Sequence, residues 1–232
     1  MTNESRRRVI TVARDVLADA KADAAEFRRQ RGLAGTMVVN ILSSPGAGKT
    51  ALLEATAKHW QGRFRAAVLV GDLATDRDAQ RLAPWLDVVQ MTTGGACHLE
   101  IPLVDKAFAR LPDERWDFLF IENVGNLVCP ASHDLGEHVR VVLLSVTEGD
   151  DKPAKYPKMF RTSQALVISK TDLLPYVPFS VEAAVADARQ IQPTLEAFAL
   201  SSQSGDGVAA WCGYLERMRR ERFGRELLDS PR

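Results

Sequence analysis

A short, largely apolar run, Met37–Leu42, leads straight into Ser43-Ser44-Pro45-Gly46-Ala47-Gly48-Lys49-Thr50, and a helix-forming stretch, ALLEATAKHW, follows at once. Strand, glycine-rich loop and helix in this order build a phosphate cradle. Small residues let backbone N–H groups converge on phosphate oxygens, and the helix N-terminus adds partial positive charge. The backbone of Ser44, Gly46, Ala47 and Gly48 would line the cradle. The Lys49 ammonium would reach the β- and γ-phosphates, and the Thr50 hydroxyl would ligate Mg²⁺. Such loops usually open on glycine; here Ser43 holds that place.

The rest of the chain is consistent with that start. Short apolar runs recur at Met37–Leu42, Ala66–Val70, Asp87–Gln90, Phe118–Ile121, Val139–Val146, Ala165–Ile168 and Glu196–Leu200. Several are apolar throughout, as strands covered on both faces are. Between them the pattern predicts helices over Lys49–Trp60, Asp76–Ala83, Leu99–Arg110, Ala154–Phe160, Val181–Gln190 and Val208–Arg220. Strand and helix alternating in this way predict an α/β fold, a mostly parallel sheet flanked by helices. Ahead of it, Val9, Val12, Val16, Ala20, Ala24 and Phe27 recur at helical spacing, so an amphipathic helix is expected to end near Gly32 and Gly35. The expected organisation is an N-terminal helix over residues 1–35 docked on the core, a nucleotide-binding domain over 36–222, and a frayed tail over 223–232.

Ser169-Lys170-Thr171-Asp172, at the end of the Ala165 run, is similar to the Asn-Lys-x-Asp guanine signature of GTPases, with Ser in place of Asn. A carboxylate such as Asp172 can accept from guanine N1–H and its 2-amino group, a pair adenine lacks, and the Lys170 stem can cover the base. Serine is shorter than asparagine, so Ser169 is expected to lose the amide bridge and weaken guanine binding. Ser201, which opens Ser201-Ser202-Gln203-Ser204-Gly205, is a further contact near the base. Two acidic residues close strand candidates: Asp72 after AAVLVG and Glu122 after DFLFI. Ligands gather at such strand ends in parallel sheets. With Lys49, both are candidate catalytic residues, and with Thr50 both are candidate Mg²⁺ ligands. Glu122-Asn123-Val124-Gly125 also resembles a γ-phosphate switch. Asn126 follows it, not glutamine, so intrinsic hydrolysis is expected to be slow.

Three cysteines are present, Cys97, Cys129 and Cys212, an odd and sparse set that argues against a disulfide framework and for a reducing cytoplasm. Cys97 and His98 are adjacent, and Cys129 follows the Glu122 segment closely. On spacing alone two buried cysteines and a surface histidine are the simpler reading. Their position beside the switch segments favours a soft N/S donor set, which suits Ni²⁺ and Zn²⁺ equally. Three protein donors do not close a tetrahedron, so water or a second subunit would supply the remainder. His133 and His138 lack an evident partner and His59 lies in the helix after the phosphate loop, so all three read as surface or core histidines; Cys212 reads as a core residue.

Composition excludes other classes. Lys+Arg and Asp+Glu both number 30, and a neutral chain argues against nucleic-acid and membrane-surface partners. No stretch approaches the roughly 20 apolar residues a bilayer span needs. MTNESRRRVI lacks the apolar core of a secretory signal, so the chain is expected in the cytoplasm.

The stretches VNILSSPGAGKTALLE, GDLATDRDAQR, TTGGACHLE, FIENVGNLVCPA, LLSVTEGDDKPAKYPKMF and SKTDLLPY, from about Asn40 to Tyr176, together resemble the hydrogenase nickel-incorporation GTPase (HypB) family. Ser43 is usual there. The resemblance implies a P-loop fold of the signal-recognition-particle/MinD (SIMIBI) class, GTP-dependent homodimerisation and slow GTP hydrolysis. It also implies Ni²⁺ or Zn²⁺ on Cys97, His98 and Cys129 near the dimer interface, and nickel delivery to the [NiFe]-hydrogenase large-subunit precursor with the partner protein HypA. The first histidine is His59 and the first cysteine Cys97, so the histidine-rich store and the Cys-x-x-Cys-Gly-Cys site of many relatives are not expected. The alternatives are a urease-accessory or other metal-delivery GTPase of this class, a P-loop small-molecule kinase, and a metal-storage protein. The urease type carries Cys-Pro-His, a kinase needs an arginine lid, and a store needs more donors than this chain has.

Overall fold

The computed structural model describes residues 3–72, 77–92, 94–112 and 115–224, with side chains described from residue 18 onward except at position 72. Seven strands alternate with helices. They are β1 (Met37–Ser43), β2 (Ala66–Asp72), β3 (Asp87–Thr92), β4 (Phe118–Glu122), β5 (Val139–Ser145), β6 (Ala165–Ser169) and β7 (Glu196–Ala199). The helices are α1 (Asn3–Leu33), α2 (Lys49–Trp60), α3 (Arg77–Leu82), α4 (Ile101–Phe108), α5 (Lys152–Lys155), α6 (Pro157–Arg161), α7 (Val181–Ile191) and α8 (Val208–Phe223).

All seven strands lie in one parallel sheet, in the order β3-β2-β4-β1-β5-β6-β7. Every residue of β1, β4, β5 and β6 is buried, because helices cover both faces. On one face Val39 and Ile41 of β1 join Trp60 of α2 and Trp211 of α8 in an apolar cluster that also holds Cys212, the core residue expected from sequence. On the other face Val38 packs with Ala24 and Phe27 of α1 and Val104 of α4, while Leu42 packs with Phe160 of α6 and Ala184 of α7. Burying side chains of this size is worth about 1.5–3 kcal/mol each before the entropy of ordering the chain is subtracted.

The elements follow local chemistry. Gly35, at φ 72°, turns the chain from α1 into β1. The single helix expected over Ala154–Phe160 is instead two short ones. Pro157 cannot donate a backbone bond and pushes its predecessor out of helical geometry, and Tyr156 sits at φ −125°, ψ 51°. Residues 225–232 of the expected tail lie outside the described residues. Among the described residues no helix is long and apolar enough to cross a membrane.

Candidate nucleotide and metal site

The carboxyl ends of β1, β4 and β6 carry the residues singled out above. Beyond β1 the chain turns through Gly46 (φ 72°) and Gly48 (φ 101°), left-handed positions that glycine adopts without steric cost, and α2 then starts at Lys49. The Ser43 hydroxyl donates to the Ser44 carbonyl (2.7 Å), and Lys49 Nζ donates to Ser43 Oγ (3.1 Å), so the lysine lies folded along its own loop. Thr50 Oγ1 donates to Glu122 Oε1 at 2.8 Å, with both residues buried. A hydroxyl and a carboxylate side by side at a helix N-terminus are hard oxygen donors of the kind Mg²⁺ takes. Asp72 ends β2 two positions past Val70, the register partner of Glu122, which sets its backbone at the same sheet edge; its side chain lies outside the described residues.

The segment after Glu122 leans on the phosphate loop. A Cβ added to Gly125 would lie 2.9 Å from Pro45 Cα and 3.0 Å from Pro45 N, so only glycine allows this approach. Its neighbour Asn123 is buried and tied to Asn40 of β1 (3.2 Å).

The base end is built by β6 and the loop after β7. Ser169 has no amide, yet its hydroxyl joins the loops by donating to the Ala47 carbonyl at 2.7 Å. The two loops approach closely enough for the short side chain to span them. Lys170 has φ 60°, the only positive φ outside glycine among the described residues, and its Nζ donates to the Gly46 carbonyl (2.7 Å). That strained backbone turns Lys170 over the phosphate loop. Asp172 Oδ1 accepts from Ser201 Oγ (2.6 Å), and Ser201 Oγ also accepts from the backbone N–H of Gln203 and Ser204 (both 3.2 Å). The loop after β7 thus fixes the carboxylate. A cavity of about 460 Å³ opens between Gly48, Ser169, Lys170, Asp172, Ser202 and Gln203. That volume suits a small-molecule ligand.

The donor cluster lies beside these segments. Cys97 is exposed and Cys129 half-buried. Cys97 Sγ is 3.7 Å from His98 Nδ1. The thiol of Cys97 is pushed up from its ordinary value by a hydrogen bond with Cys129, then by partial desolvation and the charge of Cys129, so the two sulfurs are neighbours. Metal binding at the Cys97 sulfur therefore has to displace its proton. Among the described residues no three His, Cys, Asp or Glu side chains converge as a formed metal site. Asn126 joins the two thiol loops: Nδ2 donates to the Cys97 carbonyl (3.4 Å), while Oδ1 accepts from the N–H of Val128 (2.8 Å) and Cys129 (3.4 Å).

His133, expected to lack a partner, has one. Its ring stacks on His98 at 3.8 Å between centroids and 20° between planes, and its Nδ1 lies 2.9 Å from the Cys129 carbonyl oxygen. The Cys129–His133 spacing, across a 3-10 helix over Cys129–Ser132 that His133 caps, was the available signal. His138 is half-buried, its Nδ1 accepting from Val38 N–H (2.9 Å), and His59 is exposed.

Residues 37–199 match the family model described as "CobW/HypB/UreG, nucleotide-binding domain", which covers well over half of the chain. The chain belongs to the CobW/HypB/UreG family. It is accordingly a P-loop GTPase. Over 229 residues the chain is 45% identical to the hydrogenase maturation factor HypB of Azotobacter vinelandii, covering 98% of this chain and 75% of that protein. The crystal structure of HypB from Helicobacter pylori in complex with nickel superposes with a TM-score of 0.84 at 41% identity, over 89% of this chain and 97% of that one. The hydrogenase maturation factor HypB of Archaeoglobus fulgidus gives a TM-score of 0.81 at 34% identity, over 87% and 99%. The seven-stranded parallel sheet is thus the fold of the HypB structures, as expected from sequence.

Proposed function

We propose that this chain is the nickel-handling GTPase of hydrogenase maturation, in which nucleotide state controls a Cys97–His98–Cys129 cargo site. The observation that carries the reading is Asn126. It directly follows the Glu122–Gly125 segment packed on the phosphate loop, and its one amide holds both thiol-bearing loops. A change in that segment on loss of the γ-phosphate would shift Cys129 relative to Cys97 and His98.

In this reading Ser44, Gly46, Ala47 and Gly48 present backbone to the phosphates, and Lys49 leaves Ser43 to meet the β- and γ-phosphates. Thr50, Asp72 and Glu122 would hold Mg²⁺, which when bound neutralises phosphate charge. Glu122, or Asp72, would orient the attacking water. Lys170 covers the base, and Asp172, fixed by Ser201, reads its N1–H and 2-amino edge. Homology to hydrogenase maturation factors, and to a relative crystallised with nickel, supports the pathway and the cargo. The finer partners of this reading are a second copy of the chain, a HypA-type nickel protein and a hydrogenase large-subunit precursor, all met in the cytoplasm. Nucleic acid and membrane are not among them.

The test is paired. Purified chain with Mg²⁺ is expected to hydrolyse GTP, not ATP, at below about 0.1 s⁻¹. It is also expected to bind nickel in a manner lost in Cys97→Ala. Rapid ATP turnover, phosphate transfer to a metabolite, or nickel binding indifferent to Cys97 would overturn the assignment.

A further inference from the structure

We infer that His133 is a fourth protein donor of the cargo site, so that Cys97, His98, Cys129 and His133 together supply two sulfurs and two nitrogens to one divalent cation. The inference rests on the cargo site proposed above. It concerns a residue whose ring the fold has already oriented.

A carbonyl oxygen can only accept. The 2.9 Å approach of His133 Nδ1 to the Cys129 carbonyl therefore places the ring proton on Nδ1 and leaves the lone pair on Nε2. A backbone carbonyl holding the far nitrogen of an imidazole is how proteins fix the tautomer of a metal-binding histidine. The carbonyl here belongs to a predicted ligand. The 3-10 turn over Cys129–Ser132 thus ties the position of a sulfur to the orientation of an imidazole.

The second observation is the stack on His98, 3.8 Å between ring centroids. His133 is in contact with one sulfur-bearing residue by hydrogen bond and with the histidine donor by its face. Packing alone would not select this pair, since two polar rings face to face bury less apolar surface than an aromatic and a hydrocarbon would. A fourth protein donor also answers the count, since three side chains leave a tetrahedron open. His133 also borders a cavity of about 380 Å³ with Asp19, Lys21, Asp23, Glu100 and Asp134, the last of which is paired with Arg28.

An imidazole binds metal in its own plane. The rings now lie 20° from parallel, so loading must open the stack. That gives a readout independent of catalysis: on nickel or zinc binding the His98 and His133 ring resonances leave their stacked positions together.

The experiment uses the full chain, with nickel and zinc affinity measured by competition against a chromophoric chelator and the ligand count by X-ray absorption. His133→Phe keeps a flat ring against His98 and removes the donor. It is expected to weaken nickel binding at least about tenfold and to lower the count by one nitrogen, with GDP affinity unchanged as the check on folding. Unchanged affinity and an unchanged nitrogen count in His133→Phe would overturn the inference. Cys97→Ala separates the two levels. If it weakens binding while His133→Phe does not, His133 alone is excluded; if it too has no effect, the cargo site and the inference fail together.

Discussion

Replacing Ser169 by alanine deletes one hydroxyl and little volume, and the structure sets what that should cost. The bond to the Ala47 carbonyl is 2.7 Å long, between residues that are 2% and 1% exposed, so water cannot readily replace the lost donor. A hydrogen bond contributes about 0.5–1.5 kcal/mol net, but a buried acceptor left without its partner costs about 1–3 kcal/mol, and the second case applies. Ser169→Ala is therefore expected to lower unfolding free energy by about 1–3 kcal/mol in urea titrations at constant slope. The same bond clamps the base loop, with Lys170 and Asp172, to the phosphate loop. If the nucleotide must rebuild that clamp, the whole cost falls on binding, and GDP affinity drops by up to about 100-fold, at tenfold per 1.4 kcal/mol. Fluorescent-GDP titration reads this directly. Ser169→Thr, which keeps the hydroxyl, should retain most of both quantities. Wild-type stability and affinity in Ser169→Ala would refute the reasoning.

Two further outcomes are expected. Gly125→Ala would set a methyl 2.9 Å from the Pro45 backbone, an overpacking worth about 1–3 kcal/mol, and should weaken nucleotide binding; Gly213→Ala on α8, with nothing within 4 Å, should not. His138 is held down to about 4 from 6.5, by burial first and then by Arg222 and Arg28. The unfolded chain therefore binds the extra proton in that window. Stability is full above pH 6.5 and falls toward pH 4, by up to about 3 kcal/mol, and His138→Gln should flatten this part of a urea-midpoint profile.

The strands were legible because sheets covered on both faces need continuous apolar runs, and the phosphate loop because its glycines and lysine have one arrangement that works. The break between α5 and α6 was also legible, in Pro157, but helical periodicity on either side masked it. What the sequence hid depends on how loops meet. Ser169 spans to Ala47 because β1 and β6 bring two loops close, a distance no residue pattern encodes. His133 reaches His98 because the 3-10 turn at Cys129 faces the segment before α4, a contact across thirty-five positions. Neither proximity follows from residue type.

The central claim is that nucleotide state sets the hold on the cargo. The measurement that bears on it most directly is the equilibrium nickel affinity of the full chain, taken once with GDP and once with a non-hydrolysable GTP analogue, both with Mg²⁺. Coupling through Asn126 predicts affinities that differ at least about fivefold, with nickel shifting the preference between the two nucleotides by the same factor. Identical nickel affinity in the two states would contradict the account.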